Sequence, residues 1–443
     1  MKVIAIGGVA LSMSAVSKLK RLNNKIDIVV YEKGEVLSYG ACGMPYFISD
    51  EIKDSSRLVA RTKEQFSDLG IEVKTKHEVI KVHDRSKEVE VLNLETNEIF
   101  LDSYDKLIIG TGASAIVPPW KNVDLDNIFK LSVYEDSIKI KEKIDEGQIK
   151  KVTVIGAGFI GLEMVEAFLT RGLDVTLIQL DNQVLSIFDS ELTIPIEEHL
   201  KSKGVNLLLG EKVVGFEGNK SVNKVMTDKG EYATDLVLIS IGVKPNTEFL
   251  QSSNINLSNN GAVIVNQFME SNILNIYSGG DCAMIYNLAL KENSYLPMGN
   301  NANKQGRVIA ENISGNRFKF NGVLGTIVIK IVDMEAAMTG ISEKLAIAKH
   351  IKHKTVTITG KNHAGYYPNP QPITVKVIYD PNTFRILGAE LVGYKDTALR
   401  VNVFAVAIQK EMTTQELGYL DLAYAPPFAG VWDVIHVAVN SAK

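Results

Sequence analysis

Lys151-Val152-Thr153-Val154-Ile155-Gly156-Ala157-Gly158-Phe159-Ile160-Gly161 runs a short β-branched strand straight into a G-x-G-x-x-G turn. Each glycine has a separate task. The first permits the tight turn, the second lets a pyrophosphate approach the backbone, and the third lets the following helix pack on the strand. The helix N-terminus adds a partly positive field suited to phosphate. Alone the motif is weak. Here a second strand follows at Asp174 to Gln179, and strand–turn–helix–strand is the context in which it marks a dinucleotide site.

The same unit occurs earlier. Lys2-Val3-Ile4-Ala5-Ile6-Gly7-Gly8 repeats the strand and turn, and Asp27 to Tyr31 repeats the second strand. Buried β-branched runs feeding glycine turns begin parallel α/β units, so two such units imply two dinucleotide sites. The first copy departs from the motif: Val9 stands at the middle glycine position and Ser12 at the last. Ser12 is expected to loosen the helix–strand packing. Glu32, just past the second strand, either accepts hydrogen bonds from a ribose or is a solvated strand-end carboxylate. Two later segments belong with this copy: Lys106-Leu107-Ile108-Ile109-Gly110-Thr111-Gly112 and Asn275-Ile276-Tyr277-Ser278-Gly279-Gly280-Asp281. An aspartate after two glycines suits the ribityl hydroxyls of a flavin, which makes the first copy the FAD site. In the second copy Gln179 stands where an acidic residue normally holds the NAD ribose. Leu180, Asp181 and Asn182 bring no cation for a 2′-phosphate. NADH is therefore expected, with NADPH left open.

The 443 residues exceed one ordinary domain, and 45% hydrophobic with 23% charged residues is a globular composition. A net charge of −4 without a basic run gives no reason to expect nucleic acid. Apolar runs such as Leu236 to Val243 are too short to span a bilayer, and the N-terminus enters a strand directly. A cytoplasmic protein without membrane partners is the expectation. From Gly322 onward strand-like runs (Gly325 to Val332, Lys354 to Thr359, Ile373 to Tyr379) and a helical stretch near Thr397 to Gln409 suggest a smaller α+β domain. The expected division is 1–112 and 246–321 for FAD, 113–245 for NAD(P)H, and 322–443 for the smaller α+β domain.

Two cysteines make no disulfide framework, so each is weighed as a thiol. Cys42 lies in Ser38-Tyr39-Gly40-Ala41-Cys42-Gly43-Met44-Pro45-Tyr46, where Gly43 and Pro45 suggest a turn into a helix start that favours a thiolate. Cys282, beside Asp281, reads as a small buried hydrophobe. No metal is expected.

Taken together, Lys2–Gly8, Ser38–Tyr46, Tyr104–Gly112, Lys151–Glu163, Asn275–Asp281 and Asn301–Gly306 resemble the single-cysteine branch of the FAD-dependent pyridine-nucleotide–disulfide reductases. That branch contains coenzyme A-disulfide reductase, NADH oxidase, NADH peroxidase and persulfide reductase. The resemblance implies two Rossmann-like α/β domains, a C-terminal α+β dimerisation domain, and a homodimer. It implies FAD against Gly7, Gly8, Val9, Ala10, Glu32, Lys33, Val79, Thr111, Gly112, Gly280, Asp281 and Ala302. NADH or NADPH would meet Gly156, Gly158, Phe159, Ile160, Gly161, Glu163, Gln179 and Gly242.

Within the branch, the peroxidase and water-forming oxidase carry a histidine at the position of Ala10. A coenzyme A-disulfide reductase places two tyrosines of the partner subunit near the cysteine, at positions matched by Tyr366 and Tyr424. Coenzyme A carries phosphates, and Lys18 and Arg21 on one helix face, with Ser38, Arg61 and Asn303, are the expected contacts. Coenzyme A disulfide, or a related small disulfide or persulfide, is thus the expected substrate, with Cys42 as the redox-active residue. Two other readings stay open: an NADH oxidase cycling Cys42 through a sulfenic acid, and a redox sensor without turnover.

Overall fold

The computed structural model describes residues 1–443. Lys2–Ile6 is a strand buried from its second residue, as its unbroken apolar run demands, and Lys151–Ile155 repeats that burial. Each sits inside a five-stranded parallel sheet. In the first sheet the order is Ile276–Ser278, Lys106–Ile109, Lys2–Ile6, Asp27–Tyr31, Glu72–Lys74. In the second it is Asn206–Leu209, Asp174–Gln179, Lys151–Ile155, Leu236–Ile239, Ile128–Lys130. The registers echo one another, with Lys2 opposite Asp27 and Lys151 opposite Asp174. Both later FAD segments lie in the first sheet, as their sequences imply.

A third, antiparallel five-stranded sheet follows: Ile327–Ile331, Met334–Gly340, Ile386–Gly393, Pro372–Tyr379, Lys354–Lys361. Val401–Gln409 and Val434–Asn440 are helices packed on it. Sequence reading names neither the Met334–Gly340 nor the Ile386–Gly393 strand. No helix is long and apolar enough to cross a membrane.

The units are welded by polar contacts as well as apolar ones. The Met44–Ile48 helix after Cys42 buries Met44, Phe47 and Ile48 in the same core as Leu162, Val165 and Phe168 of the second unit, with Ile329 and Ile331 of the third. Lys376, 1% exposed, reaches out of the third sheet to Asp189 at 2.9 Å, Glu343 at 2.6 Å, and Glu191. Neighbouring Glu390 is pushed up to about 9, by burial first and then by Asp189. A buried ammonium is tolerable only with such partners.

Candidate active site

The first glycine of each turn is required by geometry. Gly7 and Gly156 have φ of +95° and +104°, and a Cβ on them would lie 2.3 Å from the Gly110 carbonyl and 2.5 Å from the Ser240 carbonyl. A Cβ on Gly161 would stand 1.9 Å from the Gly156 carbonyl oxygen, which explains the third glycine. In the first copy Ser12 does not loosen the packing. It is fully buried, its hydroxyl donates to the Ile6 carbonyl at 3.3 Å, and it fills space that Gly110 leaves open.

Glu32 and Gln179 turn out to be structural counterparts. The backbone N–H of Gly8 donates to Glu32 Oε2, and that of Ala157 donates to Gln179 Oε1 at 2.9 Å. Glu32 is half-buried, not solvated, and its other oxygen accepts from Gly34 N–H at 2.6 Å. Burial pushes its pKa up, with Glu135 adding repulsion against the hydrogen bonds that favour the carboxylate. A carboxylate has about four lone-pair directions, so Glu32 retains acceptors for ribose hydroxyls.

The first site fits FAD on a second observation. Asp281 Oδ1 is buried with no hydrogen-bond partner, and burial raises its pKa. A polyhydroxyl chain supplies the donors this oxygen lacks. Gly280 N–H is fixed by Gln305 at 2.8 Å, with buried Ala302 behind it. Gly112 has open space where a side chain would be, and Val79 is buried beside the sheet. Two side chains are spent within the chain: Thr111 donates to the Asn246 carbonyl at 2.6 Å, and Lys33 pairs with Glu78 at 2.7 Å.

The second site is open in the manner an incoming nucleotide needs. Gly158 is exposed with nothing where its Cβ would be, and Gly242 is exposed with φ +120°. Phe159 and Ile160 are half-buried at the helix start. One turn on, burial, then Glu166, lift Glu163 to about 7. Glu166 itself is buried, paired with Lys330, and accepts from Val332 N–H at 2.9 Å.

Cys42 sits in a 3₁₀ turn, Ala41–Gly43, that leads into the Met44–Ile48 helix with Pro45 in its first turn. The turn is as expected; the thiol is not. Desolvation in the loop, followed by Glu163 and Asp281, pushes the Cys42 pKa up. A helix start is outweighed here by desolvation, with two nearby carboxylates adding to it. Cys282 is fully buried, its thiol donating to the carbonyls of Gly279 at 3.3 Å and Ile109 at 3.5 Å.

Beside this loop lies a cleft of about 360 Å³. Its lining includes Ser38, Gly40, Asn303, Arg21, Arg61 and Arg307. Ser38 holds φ +51°, an uncommon value for a non-glycine residue, pinned by Ser38 N–H to the Gly8 carbonyl at 2.8 Å. Lys18 pairs with Glu311 of the Gly299–Ile313 helix at 3.0 Å and is not among the residues that line the cleft. Arg307 was missed, although it lies one helical turn beyond Asn303. Tyr366 and Tyr424 lie elsewhere, on the third unit, with hydroxyls 3.1 Å apart and 76% and 44% exposure.

This fold and its cleft agree with what the chain resembles. Residues 1–306 match the model for pyridine nucleotide-disulphide oxidoreductases, and residues 327–434 match that family's dimerisation domain. A Pyrococcus furiosus protein named NAD(P)H sulfur oxidoreductase (CoA-dependent) is 37% identical over 100% of this chain and 99% of its own. A Staphylococcus aureus coenzyme A disulfide reductase is 34% identical over 100% of both. Among solved structures, reduced CoADR-RHD from Bacillus anthracis superposes with TM-score 0.96 at 33% identity, covering 100% of this chain and 80% of that one. A water-forming NADH oxidase from Lactobacillus brevis gives 0.95 at 29% identity, covering 100% and 98%. The chain belongs to the pyridine nucleotide-disulphide oxidoreductase family. Within it, the chain is an enzyme using FAD and NAD(P)H, of the disulfide-reducing type.

Proposed function

We propose that the enzyme reduces coenzyme A disulfide, or a coenzyme A persulfide, at Cys42, working as a homodimer with NADH as the preferred donor. The observation that carries this is the cleft. Arg21, Arg61 and Arg307 line one cavity, and none has a carboxylate within 4.0 Å. Three uncompensated guanidinium groups suit the phosphates of coenzyme A, which they bind in bidentate fashion. The cavity falls in the ordinary range of ligand sites, about 300–1,000 Å³, and it approaches Cys42 through Gly40. Asp181, which accepts from Gln179 Nε2 at 3.2 Å, disfavours a 2′-phosphate at the second site.

Bound FAD supplies the two-electron link between nicotinamide and sulfur. Cys42 Sγ, as thiolate, attacks one sulfur of the disulfide. An S–S bond to Cys42 forms, the substrate S–S bond breaks, and the departing thiolate takes a proton. Two electrons and a second proton then cleave the mixed disulfide, restoring the Cys42 thiolate and freeing the other coenzyme A as its thiol. NADH, one proton and one disulfide thus yield NAD⁺ and two thiols. Glu163 orients the nicotinamide, and its elevated pKa leaves it partly protonated at neutral pH. Tyr366 and Tyr424 are assigned to a partner's site as phenol donors to the leaving thiolate.

The test is NADH consumption by purified enzyme with coenzyme A disulfide against oxygen alone, with free thiol counted. Two thiols per NADH, and at least tenfold slower oxygen turnover, are expected. Oxygen turnover equal to disulfide turnover restores the oxidase reading. Steady turnover of either kind removes the sensor.

A further inference from the structure

We propose that Glu135 is a second carboxylate ligand for the adenosine ribose of FAD, supplied by the unit that carries the nicotinamide site. Glu135 lies in the first turn of the Tyr134–Asp145 helix. That helix buries Ile140 and Ile144 in the core of the second sheet. Yet its glutamate points toward the first site. A Cβ on Gly34 would stand 3.2 Å from Glu32 Oε1 and 3.7 Å from Glu135 Oε1, so both carboxylates converge on one spot at the end of the Asp27–Tyr31 strand. Tyr39 packs against Tyr134 with ring centroids 5.8 Å apart, fastening the helix to the Cys42-side loop.

The two carboxylates are not equally provided for. Glu32 receives the N–H groups of Gly8 and Gly34, whereas Glu135 Oε1 is shut off from solvent without any partner. Nor is Glu135 needed as a helix cap, because Asp136 accepts from Ser132 and Val133 N–H at 2.9 and 3.1 Å. An acceptor held in such a place calls for a hydroxyl donor. A ribose cis-diol brings two O–H groups, one toward each carboxylate. FAD retention then depends on the second unit being docked against the first.

The inference rests on the family's FAD site and is independent of which disulfide is reduced. FAD affinity of reconstituted apoprotein, by flavin fluorescence, and apoprotein melting are measured for wild type, Glu135→Ala and Glu135→Gln. Glu135→Ala is expected to weaken FAD about tenfold, the usual scale for losing a charged hydrogen bond. Its apoprotein should melt at or above wild type, since a repelling carboxylate is gone. Glu135→Gln keeps an acceptor oxygen and should bind FAD within about threefold of wild type. Unchanged FAD affinity in Glu135→Ala overturns the proposal. So does a lower apoprotein melting temperature with Glu135→Gln as impaired as Glu135→Ala, which marks a structural role.

Discussion

Cys42 is held under opposing influences, a helix start that favours the thiolate against desolvation and two carboxylates that do not. Removing one carboxylate therefore has a definite sign. Above pH ~7 Glu163 is ionised and repels the thiolate, so Glu163→Gln should lower the Cys42 pKa. Iodoacetamide alkylation at pH 8 is expected to become several-fold faster, while at pH 5.5, where Glu163 is protonated, the difference should shrink. Cys42→Ser should cut coenzyme A disulfide reduction to below about 1% of wild type, because no other exposed thiol exists, with NADH oxidation by ferricyanide retained. Asp281→Ala, stripping a buried acceptor, should weaken FAD about ten- to a hundredfold in an equilibrium titration. At this scale a motif places the residue without settling its role: Cys42 lies in the turn its sequence suggests, Asp281 at a strand end, and Arg21 in the cleft. The pairing of Lys18 with Glu311 was not legible, because the two are remote in the chain. Arg307 went unseen because its cleft is built from separate segments.

Among the elements, the glycine turns are the most exacting. Gly161→Ala places a methyl against the Gly156 carbonyl, inside a helix start with no room to yield. Overpacking of this kind costs roughly 1–3 kcal/mol, and here it falls on the nucleotide turn. The KM for NADH should rise at least tenfold while flavin content stays at wild-type level, checked by steady-state kinetics and the visible spectrum. The strands flanking these turns, Asp27–Tyr31 and Asp174–Gln179, were legible residue for residue, because β-branched runs between turn signals leave few alternatives. Met334–Gly340 was hidden for the opposite reason. Its sequence, MEAAMTG, is rich in helix formers and is held as a strand by pairing on both sides. Ile386–Gly393, buried almost throughout and interrupted by glycine, shows no alternation to read.

For the whole molecule, the exposed apolar residues of the third unit, among them Tyr419, Phe428, Val431 and Trp432, suit a dimer contact beside Tyr424. If each site joins Cys42 of one subunit to Tyr424 of the other, mixed dimers carry a recognisable signature. Refolding Cys42→Ser with Tyr424→Phe subunits gives one site lacking both groups and one wholly normal site. Activity of the mixture should exceed that of either parent, and Tyr424→Phe alone should slow disulfide turnover about tenfold or more while sparing oxygen uptake. Equal losses in both reactions would assign Tyr424 to packing. The shared anchorage of Glu32 and Gln179 carries a different consequence. In both halves of the molecule the strand-end side chain first serves as a peg for the turn's own N–H, whatever nucleotide arrives. A glutamate or glutamine fills that office equally well, so the architecture is indifferent to the charge at this position. Coenzyme preference can then drift over evolutionary time, or be redirected by Gln179→Glu, without endangering the scaffold that holds it.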